Sequence, residues 1–341
     1  MRSNMKVFMI GGTGLLGLEG AKELIKRGHS VSTVSLPPIP TGVDIPKEME
    51  LFLGNFLELT DDEIRRYMTG CEGFIFAAGV DERVEGAPPI YEFFKKYNIT
   101  PLKRLLTIAK ECKVKHVVVL GSYFAYLNRE KPEWKLAEIH PYIRSRVDQA
   151  DMVMSYADDE MDVAILELPY IFGTQPGRKP VWVFLVEQLQ NMKGATMYPK
   201  GGTTMITVRQ VAQCIAGALE KNKGGHNYPV GYYNMTWKEM LKIFHKYMGV
   251  PDKKIITIPV FIYRIAMMNI VKAQKKNNID GGLKMVEFTK VMTYNLFIDK
   301  KTIVDNFDVT PDDIDKAIGE SVKLSMGILE GKEKVIGMKG E

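Results

Sequence analysis

Val7-Phe8-Met9-Ile10-Gly11-Gly12-Thr13-Gly14-Leu15-Leu16-Gly17 runs from an apolar strand through a glycine loop into a helical pattern. Gly11, Gly14 and Gly17 have the spacing G-x-x-G-x-x-G. In such a loop the first glycine allows the tight turn. The second lets the backbone approach a pyrophosphate, and the third lets the helix pack against the strand. The helix start adds free N–H groups and a positive dipole end, which suit phosphate. The flanks agree: Leu16, Ala21, Leu24 and Ile25 share one helical face, which ends at Arg27-Gly28.

Around this loop lies a chain of 341 residues, 45% hydrophobic and 26% charged, the balance of an ordinary globular protein. The net charge of +5 is spread without a Lys/Arg block or an aromatic-interleaved stripe, so no nucleic-acid partner is expected. Cys71, Cys112 and Cys214 form no CxxC pair, and the five histidines show no metal-ligand spacing. No metal is expected, and the scattered cysteines suit a reducing compartment. The first apolar run is too short for a signal peptide, and no segment is long enough to span a bilayer. The expectation is therefore a cytoplasmic protein without a membrane partner.

The β-branched run Ser30–Ser35 reads as a second strand. At its end an acid would mark NAD and an arginine NADP, yet the position falls at Ser35, followed by Leu36-Pro37-Pro38. NAD and NADP both stay open. A third strand runs from Met49 to Phe56, and Thr60 with Glu63 forms a capping box. Gly73–Gly79 and Val117–Ser122 are continuous apolar strands, as in a parallel sheet covered on both faces. A long helical pattern from Ile90 to Cys112 joins them. Residues 123–138 read as a polar, aromatic loop, Pro141 as a helix start, and Val163–Leu168 as a sixth strand. Strands alternating with helices predict a Rossmann-type, doubly wound parallel α/β sheet.

Beyond Gly173 shorter elements predict a smaller C-terminal α/β substrate domain. The division expected is residues 1–172 for the NAD(P)-binding domain and 173–330 mostly for the substrate domain, with some segments returning to the first. Residues 331–341 read as a frayed tail. Residues 260–272 form an amphipathic stretch ending in Lys272-Ala273-Gln274-Lys275-Lys276; the favoured reading of this basic tip is a solvated helix end whose lysines suit the C-terminal dipole, and the alternative is contact with a membrane surface.

These motifs, taken in order over nearly the whole chain, resemble the extended short-chain dehydrogenases/reductases, which include sugar-nucleotide epimerases and dehydratases. The glycine loop is similar to TGxxGxxG, with Ile10 in place of Thr. Asn55-Phe56 resembles the Asp-Leu pair that contacts adenine, and Ala77-Ala78-Gly79 the strand end beneath the cofactor. Asn98 resembles the asparagine of the NVxGTxNLL helix. Gly121-Ser122 with Tyr126 resembles the Ser-Ser-x-x-x-Tyr strand exit, and Tyr142 with Arg146 stands in the place of YxxxK. Pro169–Gly173 resembles the PxxxxGP segment that lines the nicotinamide. Thr207–Ala212 and Thr236–Glu239 resemble two later elements of the family.

The resemblance implies NAD or NADP held by Gly11, Thr13, Gly14, Leu15, Leu16, Gly17, Ser35, Asn55, Phe56, Ala77, Ala78, Gly79, Asn98, Gly121, Tyr142, Arg146, Pro169, Tyr170 and Ile171. It implies Tyr142 as acid/base, Ser122 polarising the substrate oxygen, and a cation at position 146 that lowers the tyrosine pKa. Side chains four apart share a helix face, and an ordinary tyrosine titrates near ~10, so a neighbouring cation is needed. A guanidinium supplies the charge but does not readily release a proton. Two functions stay open. One is an NAD(P)-dependent oxidoreductase or epimerase/dehydratase acting on a hydroxyl or carbonyl of a small molecule, with nucleotide sugars among the candidates. The other is a catalytically weak or inactive dinucleotide-binding regulatory protein. Asp81, Arg83, Tyr123, Tyr126 and Trp134 read as loop residues at the substrate, with Tyr170 and Trp182 shaping its pocket. A homodimer through the helices bearing Asn98 and Tyr142 is implied.

Overall fold

The computed structural model describes residues 4–337. Seven parallel strands form the central sheet: β1 (Lys6–Ile10), β2 (Ser30–Ser35), β3 (Glu50–Leu53), β4 (Gly73–Phe76), β5 (His116–Ser122), β6 (Asp162–Leu168) and β7 (Gly225–Pro229). Their order is β7-β6-β5-β4-β1-β2-β3, the doubly wound Rossmann arrangement. β1 and β4 are neighbours from which the crossovers run in opposite directions, and ligands bind at the carboxyl ends of such a pair.

Both sheet faces are covered, which is why the strands read as continuous apolar runs. Helices α1 (Leu15–Lys26) and α6 (Val208–Lys221) cover one face, with Leu18, Leu24, Ile215 and Leu219 against Val7, Met9 and Ile75. Helices α2 (Asp61–Met68), α3 (Thr100–Glu111) and α5 (Pro141–Met154) cover the other, with Ile64, Leu102, Leu106 and Val153 against Phe8, Phe74 and Phe76. The segment comprising α6 and β7 thus returns from beyond residue 173 to the central sheet. A second sheet lies at its carboxyl side: Gly202–Thr207 pairs with Tyr233–Thr236, Asn295–Leu296 and Tyr170–Phe172.

Three details depart from the sequence expectations. Residues 123–138 are mostly helical: α4 (Tyr123–Glu130), a short 3-10 turn at Pro132–Trp134 and a helix at Leu136–Ile139. Ser122 caps α4 by accepting a hydrogen bond from the Phe124 N–H, and Tyr123, Phe124 and Leu127 bury one face; interleaved polar residues conceal that period. Tyr123 and Tyr126 therefore stand on a helix rather than on a loop. The tail is pinned, since Lys179 donates to the Ile336 carbonyl at 3.1 Å and the Ile336 N–H to Gly177 at 2.8 Å; residues 338–341 lie outside the described part. Helix α7 (Val260–Lys276) has no buried residue.

The glycine loop has no spare volume. A Cβ on Gly17 would stand 2.2 Å from the Gly11 carbonyl oxygen. Gly17→Ala should lower the thermal midpoint by an overpacking cost of about 1–3 kcal/mol or more, and should weaken dinucleotide binding at least about tenfold in calorimetry. An unchanged binding constant would show that the loop does not hold the ligand.

Candidate active site

Three segments meet at the carboxyl ends of β1 and β4. Gly11 has φ +87°, and a Cβ there would lie 2.5 Å from the Ala77 carbonyl, so only glycine allows the loop to rest on the β4 exit. The Gly12 N–H donates to Thr33 Oγ1 at 3.0 Å, and the Gly14 N–H to the Gly11 carbonyl at 2.9 Å. At the start of α1, Gly14 offers no side-chain cap and the first turn holds no acid, so the helix end is open to an anion. Gln175 and Arg178 brace the loop from far along the chain. Gln175 Nε2 and Arg178 Nη2 donate to the Thr13 carbonyl at 2.9 and 3.5 Å. Sequence reasoning missed both, because no local pattern ties residue 175 to residue 13.

Helix α5 carries Tyr142 and Arg146 one turn apart, both buried. Its start is fixed by His140, whose Nδ1 accepts from the Lys284 N–H at 3.0 Å, and by the Tyr142 N–H donating to Gly282 at 2.9 Å. The Tyr142 ring lies between Phe94 and Phe124 in edge-to-face contacts. Burial pushes its hydroxyl above the ordinary tyrosine range, and Glu82 and Asp81 push the same way. Arg146 and a hydrogen bond with Ser122 pull it down without prevailing. Arg146 Nη2 donates to the Leu120 carbonyl at 2.8 Å, while its Nε is buried without a hydrogen-bond partner. Ser122, Tyr142 and Arg146 are thus brought together. Glu82, which sequence reasoning passed over, joins them: burial and the Asp81 charge raise its carboxyl to about 7, and it acts electrostatically on Tyr123, Tyr142 and Tyr170. An acid just past the β4 exit was the signal available.

The other candidates differ in what they face. Ser35 ends β2 with its hydroxyl buried and unpartnered. Asn98 sits in a π-helical turn, and its amide is spent on Val80, accepting from its N–H at 2.8 Å and donating to its carbonyl at 3.1 Å. It positions the chain beyond Gly79 and Ala78. Asn55 turns to Glu58 and the Leu57 N–H, and Phe56 packs edge-on against Phe76. Gly121 lies on β5 beside Ser122, and Leu15 and Leu16 begin α1. Past Pro169, Tyr170 and Ile171 lie on the strand that pairs with Gly202–Thr207. Trp182 is a packing residue, stacked on Phe172 at 4.3 Å with its Nε1 donating to the Ile171 carbonyl. Asp81 pairs with Arg83 at 2.5 Å, and Tyr123 is buried against Phe124. Tyr126 is half-buried on α4. Trp134 packs against Tyr294 under the Lys290 ammonium. Among the described residues no cluster of His, Cys, Asp and Glu has the makings of a metal site.

A dinucleotide fits this crevice on three counts: the uncapped helix end behind a glycine cradle, the orphaned Ser35 hydroxyl at the end of β2, and the orphaned Arg146 Nε beside Tyr142. A family model described as NAD(P)H-binding matches residues 11–222. The chain belongs to the NAD(P)H-binding family. Its cofactor is a nicotinamide dinucleotide, NAD or NADP.

Several solved structures share the fold of this NAD(P)H-binding protein. The protein gox2253 superposes with a TM-score of 0.71 at 18% identity, covering 97% of this chain and 100% of its own. A nucleoside-diphosphate-sugar epimerase from Pseudomonas aeruginosa gives 0.66 at 14%, covering 97% and 100%. MoeE5, solved with UDP-glucose and NAD, gives 0.64 at 14%, covering 95% and 99%. At these identities the likeness is one of fold. No curated protein sequence matches the chain.

Two titrations test the electrostatics. Carbon-13 NMR of Glu82 should give a midpoint near the raised value of about 7, and Asp81→Asn should lower it by removing a like charge; an ordinary carboxylate midpoint would place Glu82 in water. His140 is held near a pKa of about 4 by burial and by Lys284. The unfolded chain therefore takes up that proton first. Stability should fall as pH drops from ~6.5 toward ~4, by on the order of 3 kcal/mol from this group. In His140→Asn, urea midpoints should lose most of that pH dependence.

Proposed function

We propose that the protein is an NAD(P)-dependent oxidoreductase of the epimerase/dehydratase type, acting on a hydroxyl or carbonyl of a small molecule, with nucleotide sugars the favoured class. The observation that carries this reading is the convergence of Ser122, Tyr142 and Arg146 at the carboxyl side of the sheet, beside the crevice that suits the cofactor. When bound, the nicotinamide supplies a hydride donor or acceptor. The Tyr142 hydroxyl gives or takes the proton at the substrate oxygen, and Ser122 donates a hydrogen bond to the same oxygen. Arg146 fixes the ribose and offsets the carboxylates that oppose ionisation of Tyr142. Glu82, whose carboxyl burial and Asp81 raise to about 7, is assigned the proton that a guanidinium does not carry. In this scheme residues 1–172 hold the cofactor and the segments after 173 shape the substrate pocket. The nucleotide-sugar class is supported by the fold shared with the Pseudomonas epimerase and with MoeE5.

One observation favours the second reading, a dinucleotide-binding regulatory protein: the Tyr142 hydroxyl stays raised despite Arg146. Calorimetry with NAD and NADP, followed by a nucleotide-sugar panel read at the nicotinamide absorbance, separates the two. For an enzyme, Tyr142→Phe should cut turnover about 10²–10⁴-fold, far more than it weakens dinucleotide binding. Undiminished turnover in Tyr142→Phe would overturn the assigned role. Tight dinucleotide binding without turnover, restored by Arg146→Lys, would establish the regulatory reading.

A further inference from the structure

Helix α7 (Val260–Lys276) is apolar on both sides, and only one side is covered. Its half-buried positions are Tyr263, Met267, Val271 and Gln274, a single stripe at helical spacing. That stripe faces the protein: Tyr263 acts electrostatically on Tyr170 and Tyr198, and Gln274 Nε2 donates to Glu85 at 2.7 Å. The stripe on the far side holds Phe261, Ile262 and Ile265, with Met268 on its flank; these side chains are 65%, 44%, 56% and 44% exposed. The outward face of an ordinary surface helix is polar. The lysines of the helix end are exposed, as the sequence suggests, but the turns before them also carry large apolar residues away from the core.

The charges on the helix narrow what can cover it. Arg264, Lys272, Lys275 and Lys276 are cations, and no acid occurs from Val260 to Lys276. The exposed apolar residues occupy the first three turns and the lysines the last. Ile256 and Met197, register partners on the β-ribbon that leads into the helix, add exposed apolar surface at its start. A two-fold contact with a second copy of the chain would set this cationic helix against its own image, which like charges oppose. A surface that is apolar beneath a layer of negative headgroups complements both halves at once.

We propose that α7 docks the protein on an anionic lipid bilayer surface, with Phe261, Ile262, Ile265 and Met268 entering the acyl boundary and Lys272, Lys275 and Lys276 meeting the headgroups. The contact is peripheral, since no helix among the described residues is long and apolar enough to cross a membrane. Because the covered stripe of the same helix faces Tyr170, docking holds that side of the molecule next to the lipid surface. The sequence expectation of no membrane partner is revised on this point. The inference does not depend on the proposed activity.

The test is co-sedimentation of the full chain with extruded vesicles, either phosphatidylcholine alone or phosphatidylcholine with an equal part of phosphatidylglycerol. Anionic vesicles should bind at least about tenfold more tightly than neutral ones, and added salt should weaken them. Phe261→Glu/Ile265→Glu should abolish binding, and Lys272→Glu/Lys275→Glu/Lys276→Glu should remove the preference for anionic lipid. The altered residues are exposed, so circular dichroism and thermal melting should stay as in the parent. In Phe261→Trp, the emission should shift to the blue on anionic vesicles. Equal binding to both vesicle types, binding that survives Phe261→Glu/Ile265→Glu, or no binding at all would overturn the proposal. So would self-association in ultracentrifugation that those two substitutions relieve while vesicles have no effect, which would assign the face to a second copy.

Discussion

A single steric constraint sets the rest of the site: the Gly11 backbone rests on the carbonyl of Ala77, with no room for a methyl group between them. This contact joins the exits of β1 and β4 at the place where the sheet reverses its winding. It aims the start of α1 into the crevice and fixes the level at which anything bound there must lie. The helix can come so close only because Gly17 in turn lacks a side chain against Gly11. Ser122 at the end of β5 is registered to this level through the parallel ladder, since β5 pairs directly with β4, whereas Tyr142 on α5 is set by the hydrogen bonds that fix the helix start. The chemistry is thus placed by backbone proximity, and the side chains act from positions that the sheet has already determined.

Electrostatics at that level are a contest. Arg146 favours the phenolate of Tyr142, whereas burial, Glu82 and Asp81 favour the phenol. The protein balances a fixed cation against a titratable acid close by, so the charge state of the pocket follows Glu82 more than Arg146. The titratable charge and the fixed charge thus belong to different residues, Glu82 and Arg146.

Much of this was legible in the sequence. The glycine spacing, the continuous apolar strands and the alternation of strand and helix depend on neighbours within a turn or a strand, and such patterns survive in one dimension. Ser122, Tyr142 and Arg146 could be singled out as candidates because each stands at a strand exit or a helix start with its own local signature, and the structure brings the three together. What was not legible depends on distant partners. Arg178 and Gln175 reach the loop at Thr13 from another part of the chain. Glu82 acquires its character only from burial beside Asp81 and the tyrosines. The stacking of Trp182 on Phe172 likewise depends on partners that no local pattern reveals. The helicity of residues 123–130 was hidden because its buried face is broken by polar residues at the surface.

The brace on the glycine loop ties together Thr13, the Gln175–Arg178 turn and, through Gly177 and Lys179, Ile336. These segments come from the two ends and the middle of the described chain. Joining them closes very long loops, so the brace exists only when distant parts of the chain are in place. The part of the molecule that looks most local, a short glycine turn, therefore owes part of its stiffness to a partner 162 residues away along the chain.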